Sequence, residues 1–178
     1  MKVAVLGSGD VTKVHRFGKI TEEKAKQLIK DVAELIADKK MDMVIVPARG
    51  IPYEIAKAYK EVGGKKVIGL VPKKDKRFGV KHIQEYIHII DEEVDIGDWY
   101  NLNGEIAAYG DYAICIGMSS GAMCDIAMLK YHYKYLESKT KLIIFENTIS
   151  QKLPKEIEEE MKDLNYIKTI EELDKLLK

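Results

Sequence analysis

The stretch Ala113–Leu129, AICIGMSSGAMCDIAML, decides the fold of this chain. It opens with an apolar run typical of a buried strand and breaks into the small-residue loop GMSSG at 117–121. Ala122, Ile126 and Leu129 then follow at helical spacing and share one face. A strand, a glycine loop and a helix in this order place free N–H groups and the positive end of a helix dipole around one point, which favours an anion such as phosphate. The alternative is an ordinary turn that uses small residues only to turn tightly.

Apolar runs alternate with amphipathic helical segments along most of the chain. This alternation predicts an α/β fold with a Rossmann-like open, mostly parallel sheet and helices on both faces, which is a three-layer α/β/α arrangement. The length of 178 residues predicts a single domain over 1–178. Right-handed crossovers predict the order 3-2-1 for the first three strands, with the strand at Ala113 returning beside the first.

Four further segments carry local predictions. Val11–Ile20 is expected to be a polar connection, and Lys73–Arg77 a solvated turn. Tyr86–Ile90 has the alternation of a short fourth strand, and the acidic segment Asp91–Asp98 that follows is expected to be a solvated loop. Asn101–Tyr109 is expected to be a short helix.

Composition narrows the function classes. Lys plus Arg and Asp plus Glu balance at 29 each, so net charge supports neither a nucleic acid nor an anionic membrane as partner. The apolar runs are too short to span a bilayer, and cytoplasm is the expected location. Cys115 and Cys124 lack metal-ligand spacing and are expected to be buried free thiols, so no metal and no cofactor is predicted. The abundance of Lys and Glu fits a thermophilic source.

The predicted strand order brings two glycine loops to one crevice, the switch point where ligands of open α/β sheets bind. Arg49 is singled out because the chain has few arginines, and it could clamp a carboxylate or phosphate; a solvated loop arginine is an equally open interpretation. The candidate ligand-binding residues are Gly7, Ser8, Gly9, Arg49, Gly50, Asn103, Gly117, Met118, Ser119, Ser120, Gly121 and Ala122.

The segment Leu102–Ala127, LNGEIAAYGDYAICIGMSSGAMCDIA, resembles the SLOG superfamily of Rossmann-like proteins. That superfamily includes the Lonely Guy phosphoribohydrolases and the nucleotide-binding domain of the DNA-processing protein family. Four positions match the family's Asn, Asp, third loop glycine and Glu: Asn103, Asp111, Gly121 and Asp125. The segments PARG at 47–50 and VIGLVP at 67–72 are similar to the family's second glycine loop and the strand after it.

The chain departs from the family pattern GGxGTxxE. Met118 and Ser119 replace the first two glycines, Ala122 replaces the Thr, and Asp125 is one methylene shorter than the Glu. Leu102 replaces the arginine of the hydrolase branch, which removes a partner for phosphate or for developing positive charge on the sugar.

The resemblance therefore implies a nucleotide or nucleotide derivative as ligand, held by a degenerate phosphate loop. One alternative is a nucleoside 5'-monophosphate phosphoribohydrolase in which Asp125, with Glu105, carries out acid–base catalysis of N-glycosidic hydrolysis. A second alternative is a non-catalytic partner-binding module. Family members commonly pair through neighbouring helices, and the segment Met128–Tyr135 is rich in Met and Tyr, so a homodimer is expected, which sedimentation can test.

Overall fold

A computed structural model describes residues 1–75 and 83–178. Its centre is a seven-stranded sheet in the order β4-β3-β2-β1-β5-β6-β7, and every neighbouring pair is parallel. This confirms the predicted fold class and the predicted placement of β5 beside β1. The strands are β1 (Lys2–Gly7), β2 (Asp42–Ile45), β3 (Val67–Val71), β4 (Glu92–Asp95), β5 (Tyr112–Ile116), β6 (Lys141–Phe145) and β7 (Leu164–Ile167).

The helices connect these strands, and four of the described helices begin at a residue whose side chain accepts a hydrogen bond from the first turn. Thr21 caps the helix that begins at Glu22 by accepting a hydrogen bond from the Lys24 N–H, and Thr169 forms a capping box with Glu172 at the start of the helix that begins at Ile170. The described helices are α1 (Lys13–Phe17), α2 (Glu22–Asp38), α3 (Ile51–Glu61), α4 (Trp99–Glu105), α5 (Ser120–Tyr135), α6 (Lys155–Glu158) and α7 (Ile170–Leu176).

The sheet is covered on both faces. Along β1, Val3 and Val5 belong to one apolar cluster, and Ala4 and Leu6 belong to another on the opposite face. Strands buried on both sides read as continuous apolar runs, which is why the central strands were visible in the sequence.

The predicted strand at Tyr86–Ile90 is wrong. The segment Ile87–Ile89 is a 3₁₀ turn, and the edge strand β4 begins in the acidic segment that was expected to be a solvated loop. An edge strand tolerates charge because one of its sides faces water. Lysine partners also meet this acidic segment: Lys60 Nζ lies 2.5 Å from Asp91 Oδ1, and Lys66 Nζ lies 2.9 Å from Glu92 Oε2.

Two other local predictions need correction. The connection Val11–Ile20 is not polar throughout: it contains the short helix α1, in which Val14 is fully buried. Cys124 is exposed while Cys115 is buried, since α5 turns the face bearing Ile126 towards the sheet and Cys124 lies on another face. In the predicted turn at 73–77, residues 76 and 77 lie outside the described residues.

The outer side of α5 carries exposed aromatic residues. Tyr131 and Tyr135 are 48% and 64% exposed, and their rings stack with centroids 6.3 Å apart. This surface is compatible with the expected homodimer, which stays a prediction. Within the described ranges, none of the helices has the length and apolar character needed to cross a membrane.

Candidate functional site

The carboxyl ends of β1 and β5 lie side by side at the switch point of the sheet. Gly7 ends β1 in register with Ile116, which ends β5. A Cβ atom on Gly7 would lie 2.5 Å from the carbonyl oxygen of Ile116. At this distance the two atoms would clash, and the backbone would have to shift. Glycine therefore allows this close approach, and it brings the loop 7–9 against the loop that follows β5.

The loop after β2 is attached to the first loop through backbone contacts. The Ile51 N–H donates a 2.9 Å hydrogen bond to the carbonyl oxygen of Ser8. Gly50 has a φ of +106°, and a Cβ there would lie 2.3 Å from the same Ser8 oxygen. The adjacent Arg49 side chain is exposed and has no hydrogen bond or ion pair within the described ranges, so its guanidinium is available to a ligand.

The first turn of α5 begins at the third loop. Ser119 is the N-cap, and its Oγ accepts a 3.2 Å hydrogen bond from the Ala122 N–H. The N–H groups of Ser120 and Gly121 lie in this first turn, where no intrahelical carbonyl can accept them. Among the described residues, the only atom within 4 Å of a Cβ built on Gly121 is Ser119 Oγ at 3.8 Å. The helix start thus offers N–H donors and leaves space at the Cβ position of Gly121.

The start of the third loop is held by a buried threonine. The Gly117 N–H donates a 2.9 Å hydrogen bond to Thr148 Oγ1, which in turn donates to the carbonyl oxygen of Phe145. Gly117 has a φ of +70°, in the left-handed region that favours glycine. Its N–H is therefore used internally. Thr148 could not be predicted as part of the site, since no motif links it to a loop 31 positions away.

A cavity of about 150 Å³ lies where these loops meet, and we call it the crevice cavity. A larger groove of about 360 Å³ runs between α1, α2 and α3, but none of the glycine loops lines it. Eight of the residues expected from the sequence line the crevice cavity: Gly7, Gly9, Arg49, Asn103, Ser119, Gly121, Ala122 and Asp125. The three loops and α5 thus build one concave site.

Asp125 is the acidic residue of this cavity. Its Oδ1 atom is inaccessible to water and has no hydrogen-bond partner among the described residues. Burial raises the pKa of this carboxyl from 3.8 to about 7. Burial and, secondarily, the Asp125 charge raise the pKa of the neighbouring Cys115 thiol to about 12, so this thiol stays protonated. Near neutral pH, Asp125 is therefore poised between its charged and neutral forms.

The other six expected residues lie outside this lining: Ser8, Gly50, Glu105, Gly117, Met118 and Ser120. Glu105 is turned towards α5, where its Oε1 lies 4.0 Å from His132 Nε2. The His132 ring is buried and makes a 2.8 Å hydrogen bond to the carbonyl oxygen of Gly104. The structure therefore brings Asp125, and not Glu105, to the cavity.

Helix α4 supplies one wall of the crevice cavity, and the sequence predicts only part of this wall. Trp99, Leu102, Asn103 and Ile106 line the cavity. Asn103 was expected, and Leu102 was noted only as a replacement for the family arginine. The spacing of 3, 4 and 7 positions from Trp99, the single tryptophan of the chain, could have identified this face. Leu102 is 1% exposed, so an apolar side chain occupies that place.

No metal site accompanies these features in the described part of the chain, where groups of three or more His, Cys, Asp or Glu side chains close enough to hold an ion are absent. A parallel open sheet with glycine loops and a cavity at the switch point defines a Rossmann-like fold. A sequence model of the SLOG cluster4 family matches residues 1–174. The chain belongs to this family, which confirms the resemblance to the SLOG superfamily.

Solved structures share the fold at low sequence identity. The Moco carrier protein from Chlamydomonas reinhardtii is 17% identical with a TM-score of 0.66, covering 99% of this chain and 96% of that one. The molybdenum cofactor binding protein from the phototrophic bacterium Rippkaea orientalis is 14% identical with a TM-score of 0.64, covering 99% and 94%.

A third similar structure concerns the single-stranded DNA binding mode of DNA processing protein A from Helicobacter pylori. It is 17% identical with a TM-score of 0.60, covering 99% of this chain and 80% of that one. No curated protein matches the sequence. At these identities, the similarity describes the fold.

Proposed function

We propose that this protein binds a small phosphorylated ligand, a nucleotide or nucleotide derivative, in the crevice between β1 and β5. The observation that carries this proposal is the convergence of the loop at 7–9, Arg49 and the first turn of α5 on one cavity. Each of these three segments suits an anion or a closely approaching ligand. Their meeting at the switch point of the sheet favours a ligand site over a turn that only connects two elements.

The phosphate would lie at the start of α5. The N–H group of Gly121 and the hydroxyl of Ser119 are its donors, and the helix dipole adds to the attraction. Arg49 would supply the positive charge from the opposite loop. Because the cavity holds about 150 Å³, below the roughly 300 Å³ of ordinary ligand sites, it would enclose part of the ligand and leave the remainder outside.

Related structures widen the set of ligands to be tested. Two of the similar proteins are described as a carrier and a binding protein of the molybdenum cofactor. Their identities of 17% and 14% support a ligand site on this fold without selecting a ligand. The molybdenum cofactor is therefore included beside nucleotides in the experiment below.

The first test is a thermal-shift screen with AMP, ADP, ATP, GMP, IMP, NAD, cyclic nucleotides and the molybdenum cofactor. A ligand at about 100 times its Kd adds roughly 2.7 kcal/mol of stability, which is about 5–10 °C in a domain of this size. Gly121→Asp places a carboxylate in front of the helix N–H groups and is expected to abolish the shift. A Cβ built on Gly121 meets no described atom closer than Ser119 Oγ at 3.8 Å, so the substitution begins without a clash.

Gly121→Asn is the matched control, since it has nearly the same shape without the charge. We expect binding at least about tenfold weaker in the Asp variant than in the Asn variant, because of charge repulsion. A shift that persists in Gly121→Asp would move the ligand away from α5. The absence of a shift with every ligand would favour the partner-binding module.

Hydrolysis of the N-glycosidic bond is a second candidate, favoured by the buried Asp125 carboxyl with its pKa of about 7. A group of this pKa can serve as a general acid near neutral pH. We would measure release of free base from AMP and expect it to be lost in Asp125→Asn. Failure of the wild-type protein to hydrolyse any common nucleotide would contradict this candidate and leave the binding proposal standing.

A further inference from the structure

A second cavity adjoins the third loop, and Asp125 is not among its lining residues. This cavity has a volume of about 250 Å³, and we call it the outer cavity. Lys13 and Phe17 of α1 line one side, and Met118, Ser119 and Ser150 line the other. Ser119 also lines the crevice cavity, so the N-cap of α5 separates two adjoining spaces.

The outer cavity differs in charge from the crevice cavity. Lys13 is the charged residue of its described lining, which contains no carboxylate. The crevice cavity instead carries both Arg49 and the buried Asp125. An anionic group bound at Ser119 is therefore attracted towards Lys13 on one side and towards Arg49 on the other, and in the described linings only the crevice side has a carboxylate to repel it.

An aromatic ring is exposed at the mouth of the outer cavity. Phe17 is 53% exposed, so one face of its ring is open to a ligand. The guanidinium carbon of Arg16 lies 5.4 Å from the ring centroid and adds further positive charge there. An exposed ring beside cations is suited to stack with a planar group that is joined to a phosphate.

We propose that the outer cavity is a second subsite, which takes the distal half of a diphosphate-bridged ligand: its second phosphate beside Lys13 and a ring against Phe17. This inference rests on the proposed function, because the first phosphate lies on α5. Neither cavity alone reaches the size of an ordinary ligand site, whereas one ligand that crosses Ser119 and occupies both would. The ligand class is thus a nucleoside diphosphate whose terminal phosphate bears a further ring.

The test compares the Kd values of AMP, ADP and NAD by titration calorimetry. We expect ADP to bind about tenfold more tightly than AMP, and NAD to bind about tenfold more tightly than ADP, which are ordinary gains for a charge-assisted contact and for one stacked ring. Lys13→Gln is expected to remove the gain of ADP over AMP. Phe17→Leu is expected to remove the gain of NAD over ADP, while Phe17→Tyr retains it.

Lys19→Gln is the control, since this lysine is exposed and lies outside both cavities. The inference is overturned if AMP binds in a Gly121-dependent manner but ADP and NAD bind no more tightly. It is also overturned if Lys13→Gln and Phe17→Leu have the same small effect on all three ligands. In both cases the proposed function stands. If no nucleotide binds at all, the proposed function fails and the outer subsite fails with it.

Discussion

Asp125→Asn is expected to stabilise the ligand-free protein above pH 7 and to lose that advantage as the pH falls towards 4. Burial raises the folded-state pKa of this carboxyl from 3.8 to about 7. Between these values the folded state holds a proton that the unfolded state has released, so the free energy of unfolding falls as the pH rises. Above pH 7 the penalty is complete, on the order of 4 kcal/mol at most, since one pKa unit corresponds to about 1.4 kcal/mol.

The measurement is urea unfolding of the wild-type and Asn proteins from pH 4 to pH 8. The difference between the two curves isolates Asp125 from every other titrating group. Asp38→Asn is the matched control, because Asp38 is exposed and lies outside the cavity. A variant that is less stable than wild type at pH 8 would mean that the Asp125 carboxylate has a stabilising partner, contrary to its unpaired Oδ1.

Gly50→Ala is expected to destabilise the protein by roughly 4 kcal/mol. A Cβ at this position would lie 2.3 Å from the Ser8 carbonyl oxygen and 2.4 Å from the Cα of Gly9. The φ of +106° adds backbone strain for any residue with a side chain. Strain and overpacking each cost about 1–3 kcal/mol, and together they would lower Tm by about 10 °C in a domain of this size.

Gly63→Ala separates these two causes. Gly63 also has a positive φ, +78°, but none of the described atoms lies within 4 Å of a Cβ built there. Calorimetry should therefore show a loss of only about 1 kcal/mol, from strain alone. Equal losses in the two variants would show that the loops at Ser8 and Gly50 move apart easily, and the close attachment of the first two loops would then be wrong.

The sheet order could be predicted because the central strands are buried on both faces. Their apolar runs, such as Ala113–Ile116, stand out from the amphipathic segments between them. Strand β4 could not be predicted in this way, since an edge strand of sequence EEVD has no apolar run. Its stability depends on pairing with β3 and on lysines that are remote in sequence.

The site was predictable at the level of the loops and less so at the level of side chains. Glycine loops that follow strands β1 and β5 were assigned from topology alone. Whether Glu105 or Asp125 reaches the cavity depends on the rotation of α4 and α5 about their axes. The buried contact of His132 with Gly104 accompanies the turn of Glu105 away from the cavity, and this contact crosses 28 positions.

The pairing of β1 with β5 also has a consequence during protein synthesis. Val3 pairs with Tyr112, and the Lys2 N–H meets Asp111, a residue 109 positions further along the chain. At about 5–20 residues per second, one edge of the central strand waits on the order of 5–20 s for its neighbour to leave the ribosome. During that interval the edge is an unpaired template for other strands. The nascent chain therefore exposes an unpaired edge of β1, and lacks the crevice between β1 and β5, until β5 emerges.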